Sequence, residues 1–241
     1  MLFDILAINK YSMLFILLIG FMLVGFVVQS RLKSKFKKYG AIPNALGLSG
    51  KEIAEKMLHD SGIYDVTIQS VPGKLTDHYN PSDKTVNLSP EVFGGRSVSA
   101  AAVAAHEVGH AVQHAKAYRW LEFRSAMVPM VGISSKAINI IFLLMIFGAG
   151  MLKMFPLSTV FLVVVVAQAI ITAFSLVTLP VEYDASDRAL VWLRSTGITS
   201  GEKYEQAKDA LTWAGRTYLV AALASLTTLA YYILMFLGNR D

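Results

Sequence analysis

Apolar residues along this chain gather into four long runs, and polar residues fill the two stretches between the first and second and between the third and fourth. The runs extend from Tyr11 to Val28, from about Val131 to Leu152, from about Leu157 to Val181 and from about Thr217 to Leu237. Each is long enough to cross a hydrocarbon core about 30 Å thick. Lys136 lies near the edge of the second run, where its head can snorkel, and Gln168, Thr172 and Ser175 lie within the third. Only Lys153-Met154-Phe155-Pro156 separates the second run from the third, so these two are expected to form an antiparallel hairpin. The first run reads as a retained span: its basic cluster follows the apolar stretch, and no small-x-small cleavage site stands out.

The polar stretches read as α+β. Ser49-Gly50-Lys51-Glu52 has the form of a capping box, with Ile53, Ala54, Met57 and Leu58 at helical spacing behind it and Gly62 as a stop. Val66 to Val71 and Lys84 to Leu88 are rich in β-branched residues, and Pro72-Gly73 and Asn80-Pro81-Ser82-Asp83 supply turns. Ser89-Pro90-Glu91 restarts a helix with Ser as cap and Pro at its first position. From Ser97 or Ser99 the Ala-rich sequence Ala100 to Ala105 favours a helix that continues without a breaker into His106.

Composition agrees with a membrane protein. Of 241 residues, 54% are hydrophobic and 16% charged, against about a quarter charged in soluble domains. Disorder and collagen-like repeats are excluded. With 0 Cys there is neither a disulfide framework nor a thiolate metal site, so a metal must be held by imidazole and carboxylate. Lys+Arg 22 against Asp+Glu 17 gives +5. The placement of that charge carries more information than its sum. Arg31, Lys33, Lys35, Lys37 and Lys38 follow the first run directly, whereas the other side of the membrane offers Lys10, Lys153 and Arg240. The positive-inside rule therefore places both polar stretches in the cytoplasm of a bacterial-type plasma membrane. The basic run reads as a solvated stretch near lipid headgroups, not a nucleic-acid surface, since neither interleaved aromatics nor a binding motif accompanies it.

The chemistry is concentrated in His106-Glu107-Val108-Gly109-His110, an H-E-x-x-H pentapeptide. Residues four apart lie on one helix face, about 6 Å apart along the axis, so both imidazoles can converge on one Zn²⁺. Glu107 points about 100° away around the helix, poorly placed as a ligand but suited to take the proton of a water whose pKa the metal lowers. His114 lies about 12 Å along the helix from His106 and cannot join the same ion. The metzincin position six residues after the second histidine holds Lys116, which excludes that class. His59 and His78 stay available but have no partner motif. The better source of a third ligand is Pro180-Val181-Glu182-Tyr183-Asp184-Ala185-Ser186-Asp187, at the exit of the third run and on the same side as the histidines. Glu182, Asp184 and Asp187 are all available. Glu182 is favoured at an apolar-flanked helix start, and Ser186 or Asp187 one turn on could support a histidine ligand. The same acidic residues would also suit the positive end of a new helix.

Four blocks together resemble a known family: Leu75 to Pro81, Val86 to Ser89, Ala104 to Gln113, and Leu179 to Ser186. With the membrane runs, they make the chain similar over nearly its whole length to the YugP-like neutral zinc metallopeptidases. The resemblance implies a membrane-embedded peptidase of the gluzincin type, with His106, His110 and Glu182 as zinc ligands and Glu107 as catalytic base. A wider similarity is to HtpX-type and CAAX prenyl endopeptidases. This chain departs from their pattern in having Ala185 and Ser186 where an Ala-Asp pair would stand, which leaves Asp187 as the substitute in a supporting role.

The fold expected is a mainly α membrane protein with about four transmembrane helices and a small α+β zincin-like extramembrane domain carrying the HExxH helix. Its segments would be an N-terminal transmembrane helix (1–30), the α+β domain with the zinc-binding helix (31–130), a transmembrane hairpin (131–181), extramembrane helices with the third ligand (182–216) and a C-terminal transmembrane helix (217–241). The function expected is zinc-dependent endopeptidase activity on membrane or juxtamembrane protein segments, with one catalytic Zn²⁺. Thr85 to Leu88 offers a strand edge for an extended substrate, and His78 or Tyr79 an oxyanion donor. The alternative is a membrane interaction protein with a structural or vestigial zinc site. A transporter ranks last, since paired intramembrane charges and repeat symmetry are missing. The implied partners are a protein or peptide substrate and the lipid bilayer, with no nucleic acid; nothing in the pattern selects a membrane-protein partner or a homo-oligomer.

Overall fold

A computed structural model describes residues 10–147 and 156–238. The Lys153 to Phe155 connection, expected to close the hairpin, lies outside the described residues. The described helices are α1 (Lys10–Gly40), α2 (Gly50–Asp60), α3 (Pro90–Phe93), α4 (Val98–Ala115), α5 (Arg119–Phe147), α6 (Leu157–Ser195) and α7 (Glu202–Gly238). The strands are β1 (Thr67–Ser70), β2 (His78–Asn80) and β3 (Thr85–Leu88). Four helices, α1, α5, α6 and α7, are long and apolar enough to cross a membrane. All four outrun their apolar stretches, because charged residues such as Lys and Glu are good helix formers and do not stop a helix.

Pro180 is the clearest case. It removes one backbone donor, yet α6 runs through it as a single helix of 39 residues. Glu182 therefore occupies a helix interior and not the helix start expected from the sequence, and the macrodipole account of the acidic residues falls with that start.

The chain divides into two compact units. One gathers residues 1–27, 124–177 and 218–241. Its helices carry exposed large apolar side chains such as Met22, Phe26, Ile133 and Phe142, as lipid-facing helices do. The polar residues of the third run are accounted for here: Gln168 Nε2 donates to Ser225 Oγ at 3.0 Å, and Thr172 Oγ1 lies 2.8 Å from the same hydroxyl. Such bonds join α6 to α7 where water is scarce.

The second unit comprises residues 28–123 and 178–217. α4 runs through its centre, buried nearly all round, and its alanines let α2, α3 and the sheet pack close against it. Ser97 caps α4 by accepting from the Ala100 amide, and Ser49 and Glu52 cap α2 reciprocally as the capping box requires. Ser89 stands at the N-cap of α3, but its side chain makes no helix-capping bond. Its hydroxyl instead donates to Asp77.

The sheet has the order β1-β3-β2, with β1 parallel and β2 antiparallel to β3. Two expectations are corrected. Thr85 to Leu88 is the central strand, buried and paired on both sides, so it offers no free edge. Residues His78 to Asn80, taken in part for a turn, form the edge strand β2.

Candidate metal centre

Two helices of the second unit build the centre. α4 presents His106 and His110 one turn apart, and α6 brings Glu182 against them. Glu182 Oε2 lies 3.3 Å from His106 Nε2 and 3.6 Å from His110 Nε2, and the three ligand atoms all fall within 4.8 Å of one another. Close helix contact makes this reach achievable. A β-carbon on Gly109 would stand 2.6 Å from the Ala185 carbonyl oxygen, so the second x of the pentapeptide and the small residue opposite let the backbones approach.

The donor set suits zinc. Tetrahedral bonds of about 2.0–2.1 Å place neighbouring ligand atoms about 3.3–3.4 Å apart, close to the separations between Glu182 and the two imidazoles. Two imidazoles and one carboxylate leave a fourth position open, as hydrolytic zinc sites do. Glu107, one residue after His106 on the same helix, is buried.

The electrostatics follow from burial and proximity. Burial pushes the Glu107 carboxyl above the usual carboxylate range, although the neighbouring imidazoles oppose the shift. Burial also penalises charge on Glu182, but the two histidines beside it outweigh burial and hold that carboxyl well below the usual range. Desolvation pulls His110 down, and Glu182 more than compensates, leaving the imidazole above its ordinary value. Glu182 is thus an anion stabilised by whatever positive charge stands at the histidines.

A surrounding layer fixes the ligands. Ser186 Oγ lies 3.1 Å from His106 Nδ1, the supporting place suggested for it by its spacing from Glu182. Asp187 is exposed and bonds neither histidine. Tyr79 and His78 are engaged elsewhere: the Tyr79 hydroxyl lies 2.8 Å from His114 Nδ1, and His78 Nδ1 lies 2.8 Å from the Thr76 carbonyl. Sequence reading gave no role to Gln113. It is fully buried, with Oε1 3.0 Å from His110 Nδ1 and Nε2 2.8 Å from the Val181 carbonyl and 2.7 Å from Asp184 Oδ2. Its signal was a polar side chain one turn beyond His110 on a helix otherwise lined by Ala and Val.

Four apolar helices and a His-His-Glu cluster that could hold a metal describe a membrane protein with a candidate metal site, and comparison with known proteins gives its family. The family model described as "Putative neutral zinc metallopeptidase" matches residues 14–237, and the chain belongs to that family. It is 39% identical over 230 residues to "Putative membrane protease YugP" of Bacillus subtilis (strain 168), covering 95% of this chain and 99% of that protein. No solved structure matches.

Proposed function

We propose that this protein is a membrane-integrated zinc endopeptidase with a gluzincin ligand set on a zincin-like domain: His106, His110 and Glu182 hold the metal, and Glu107 is the base. The observation that carries the reading is the convergence of two imidazole Nε2 atoms and one carboxylate oxygen, from two separate helices, within 4.8 Å of one another, with the carboxylate at 3.3 and 3.6 Å from the two imidazoles. Bound there, zinc would supply Lewis acidity toward water and toward the carbonyl oxygen of the scissile bond. Glu107 takes the proton of the attacking water at its carboxylate and returns it to the leaving amine nitrogen, which restores the base. Ser186 orients His106 through Nδ1.

The substrate class follows from where the site lies along the chain. Glu182 directly follows the third apolar run in sequence, which supports a protein segment at the membrane as the substrate. With β3 paired on both sides, an extended substrate could add as a strand only at the outer edge of β1 or β2, and β2 packs on the α4 helix that carries the histidines. The basic residues after the first run support a cytoplasmic site.

The test is cleavage of an unfolded protein such as casein by the detergent-purified, zinc-loaded chain beside Glu107→Gln, with metal content measured on both. Cleavage by the wild type alone, at equal zinc, is expected. Equal cleavage by Glu107→Gln would remove Glu107 from the reaction, and full zinc occupancy without cleavage of any protein offered would favour a structural ion.

A further inference from the structure

Gln113 makes three polar contacts, and their chemistry leaves the carboxamide one orientation. Val181 offers a carbonyl oxygen and Asp184 a carboxylate, both able only to accept, so both amide protons on Nε2 must face them. The reverse orientation would set the amide oxygen of this fully buried side chain against two acceptors, an expensive arrangement. Oε1 is therefore the atom that meets His110 Nδ1, and an amide oxygen only accepts. The proton of the imidazole must reside on Nδ1. Its lone pair then resides on Nε2, the atom that faces Glu182.

The partner of Gln113 is itself held. Arg188 Nε donates to Asp184 Oδ2 at 2.6 Å and Arg188 Nη2 to Oδ1 at 3.2 Å, while the guanidinium lies over the Tyr118 ring. Nothing comparable acts on His106, whose Nδ1 meets a serine hydroxyl able to donate or accept. Gln113 also bonds the carbonyl of the residue just before Glu182, so one side chain grips a ligand on α4 and the backbone beside a ligand on α6.

We propose that Gln113, held by Asp184 and Arg188, is the positioning residue that locks His110 in the Nδ1–H tautomer and sets the register between the two ligand-bearing helices. The inference rests on the metal-site reading above. The role is indirect, since Gln113 touches no ligand atom of the set itself.

Zinc affinity of the full chain in detergent, read by competition with a chromophoric chelator, tests it, with His110→Ala marking binding at this site. Gln113→Leu is expected to weaken zinc binding about 10–100-fold. Gln113→Glu is also expected to weaken it, because its carboxylate would meet that of Asp184. Combining Gln113→Glu with Asp184→Asn should recover part of the loss, since the amide at 184 can donate to the carboxylate at 113, which still accepts from His110 Nδ1–H, while the Val181 carbonyl keeps an acceptor opposite it.

A purely structural role would lower the melting temperature of the metal-free protein and leave the affinity of its folded fraction unchanged. Wild-type affinity in Gln113→Leu, or a double variant no better than Gln113→Glu, would overturn the proposal and leave the metal site standing. Should Gln113→Leu fail to fold, the single-against-double comparison decides alone. Absence of His110-dependent zinc binding in the wild type would overturn both readings together.

Discussion

The missing side chain at position 109 sets how closely α4 and α6 approach. An added β-carbon would meet backbone, with the Ala185 carbonyl oxygen at 2.6 Å and the Ala185 carbonyl carbon and Cα at 3.2 Å, so no rotamer change can relieve it. Helix propensity alone favours Ala over Gly by about 1 kcal/mol. Overpacking costs about 1–3 kcal/mol and acts where Glu182 must reach the histidines. Gly109→Ala is therefore expected to lower the melting temperature and weaken zinc binding together, whereas Gly132→Ala, which has open space around it, should do neither. A stabilised, zinc-competent Gly109→Ala protein would show that the helices can yield. How much of the centre was legible follows from the same residues. His106, Glu107 and His110 announce themselves by spacing within one helix, and Glu182 by its acidity at the end of an apolar run. Gly109 and Gln113 do not, because their roles are defined only by what α6 brings opposite them.

At the scale of elements, the caps of α2 and α4 are legible locally, whereas the Ser89 cap and the strand pairing are not. The capping box of α2 and the Ser97 cap of α4 are contained in four residues each, so their sequences suffice. β2 is three residues long and polar at both ends, and it exists because β3 supplies a partner. Its attachment depends on Asp77, which accepts from the Ser89 amide at 2.7 Å and from the Ser89 hydroxyl at 3.2 Å, joining the start of β2 to the end of β3. Burial raises the Asp77 carboxyl above its ordinary 3.8, against the pull of the Ser89 bonds. The folded protein thus holds this proton more tightly than the unfolded chain, and stability from this group falls as pH rises from 3.8 through the raised value. Asp77→Asn keeps an acceptor for the Ser89 amide and removes that charge. Its denaturation midpoint is expected to match or exceed the wild type at neutral pH and to vary less as pH rises from 3.8. Asp77→Ala leaves the amide without its partner and should cost about 1–3 kcal/mol. Equal losses in the two variants would mean that the charge, and not the acceptor, holds β2 in place.

For the whole molecule, the four apolar helices were legible because length and composition suffice, whereas their true ends were not, since α6 continues through Pro180 into polar sequence. The side of the membrane that carries the His106, His110 and Glu182 cluster is a matter of topology. Were all four apolar helices to span, residues 29–130 and 182–216 would lie together on one side, and the positive-inside rule applied to Arg31, Lys33, Lys35, Lys37 and Lys38 predicts that this side is the cytoplasm. The chain has 0 Cys, so single cysteines report without background. Tyr64 is 76% exposed in the first polar stretch, and Lys153 lies between the second and third runs, on the opposite side by the count of crossings. With a membrane-impermeant maleimide, Lys153→Cys is expected to label in intact cells and Tyr64→Cys only after permeabilisation. The reverse pattern would put the cluster outside the cell and make the juxtamembrane substrates extracytoplasmic. Labelling at both positions in sealed cells would require an odd number of crossings between Tyr64 and the second run, or one fewer run spanning, and would break the parity on which the sidedness of Glu182 and the histidines depends.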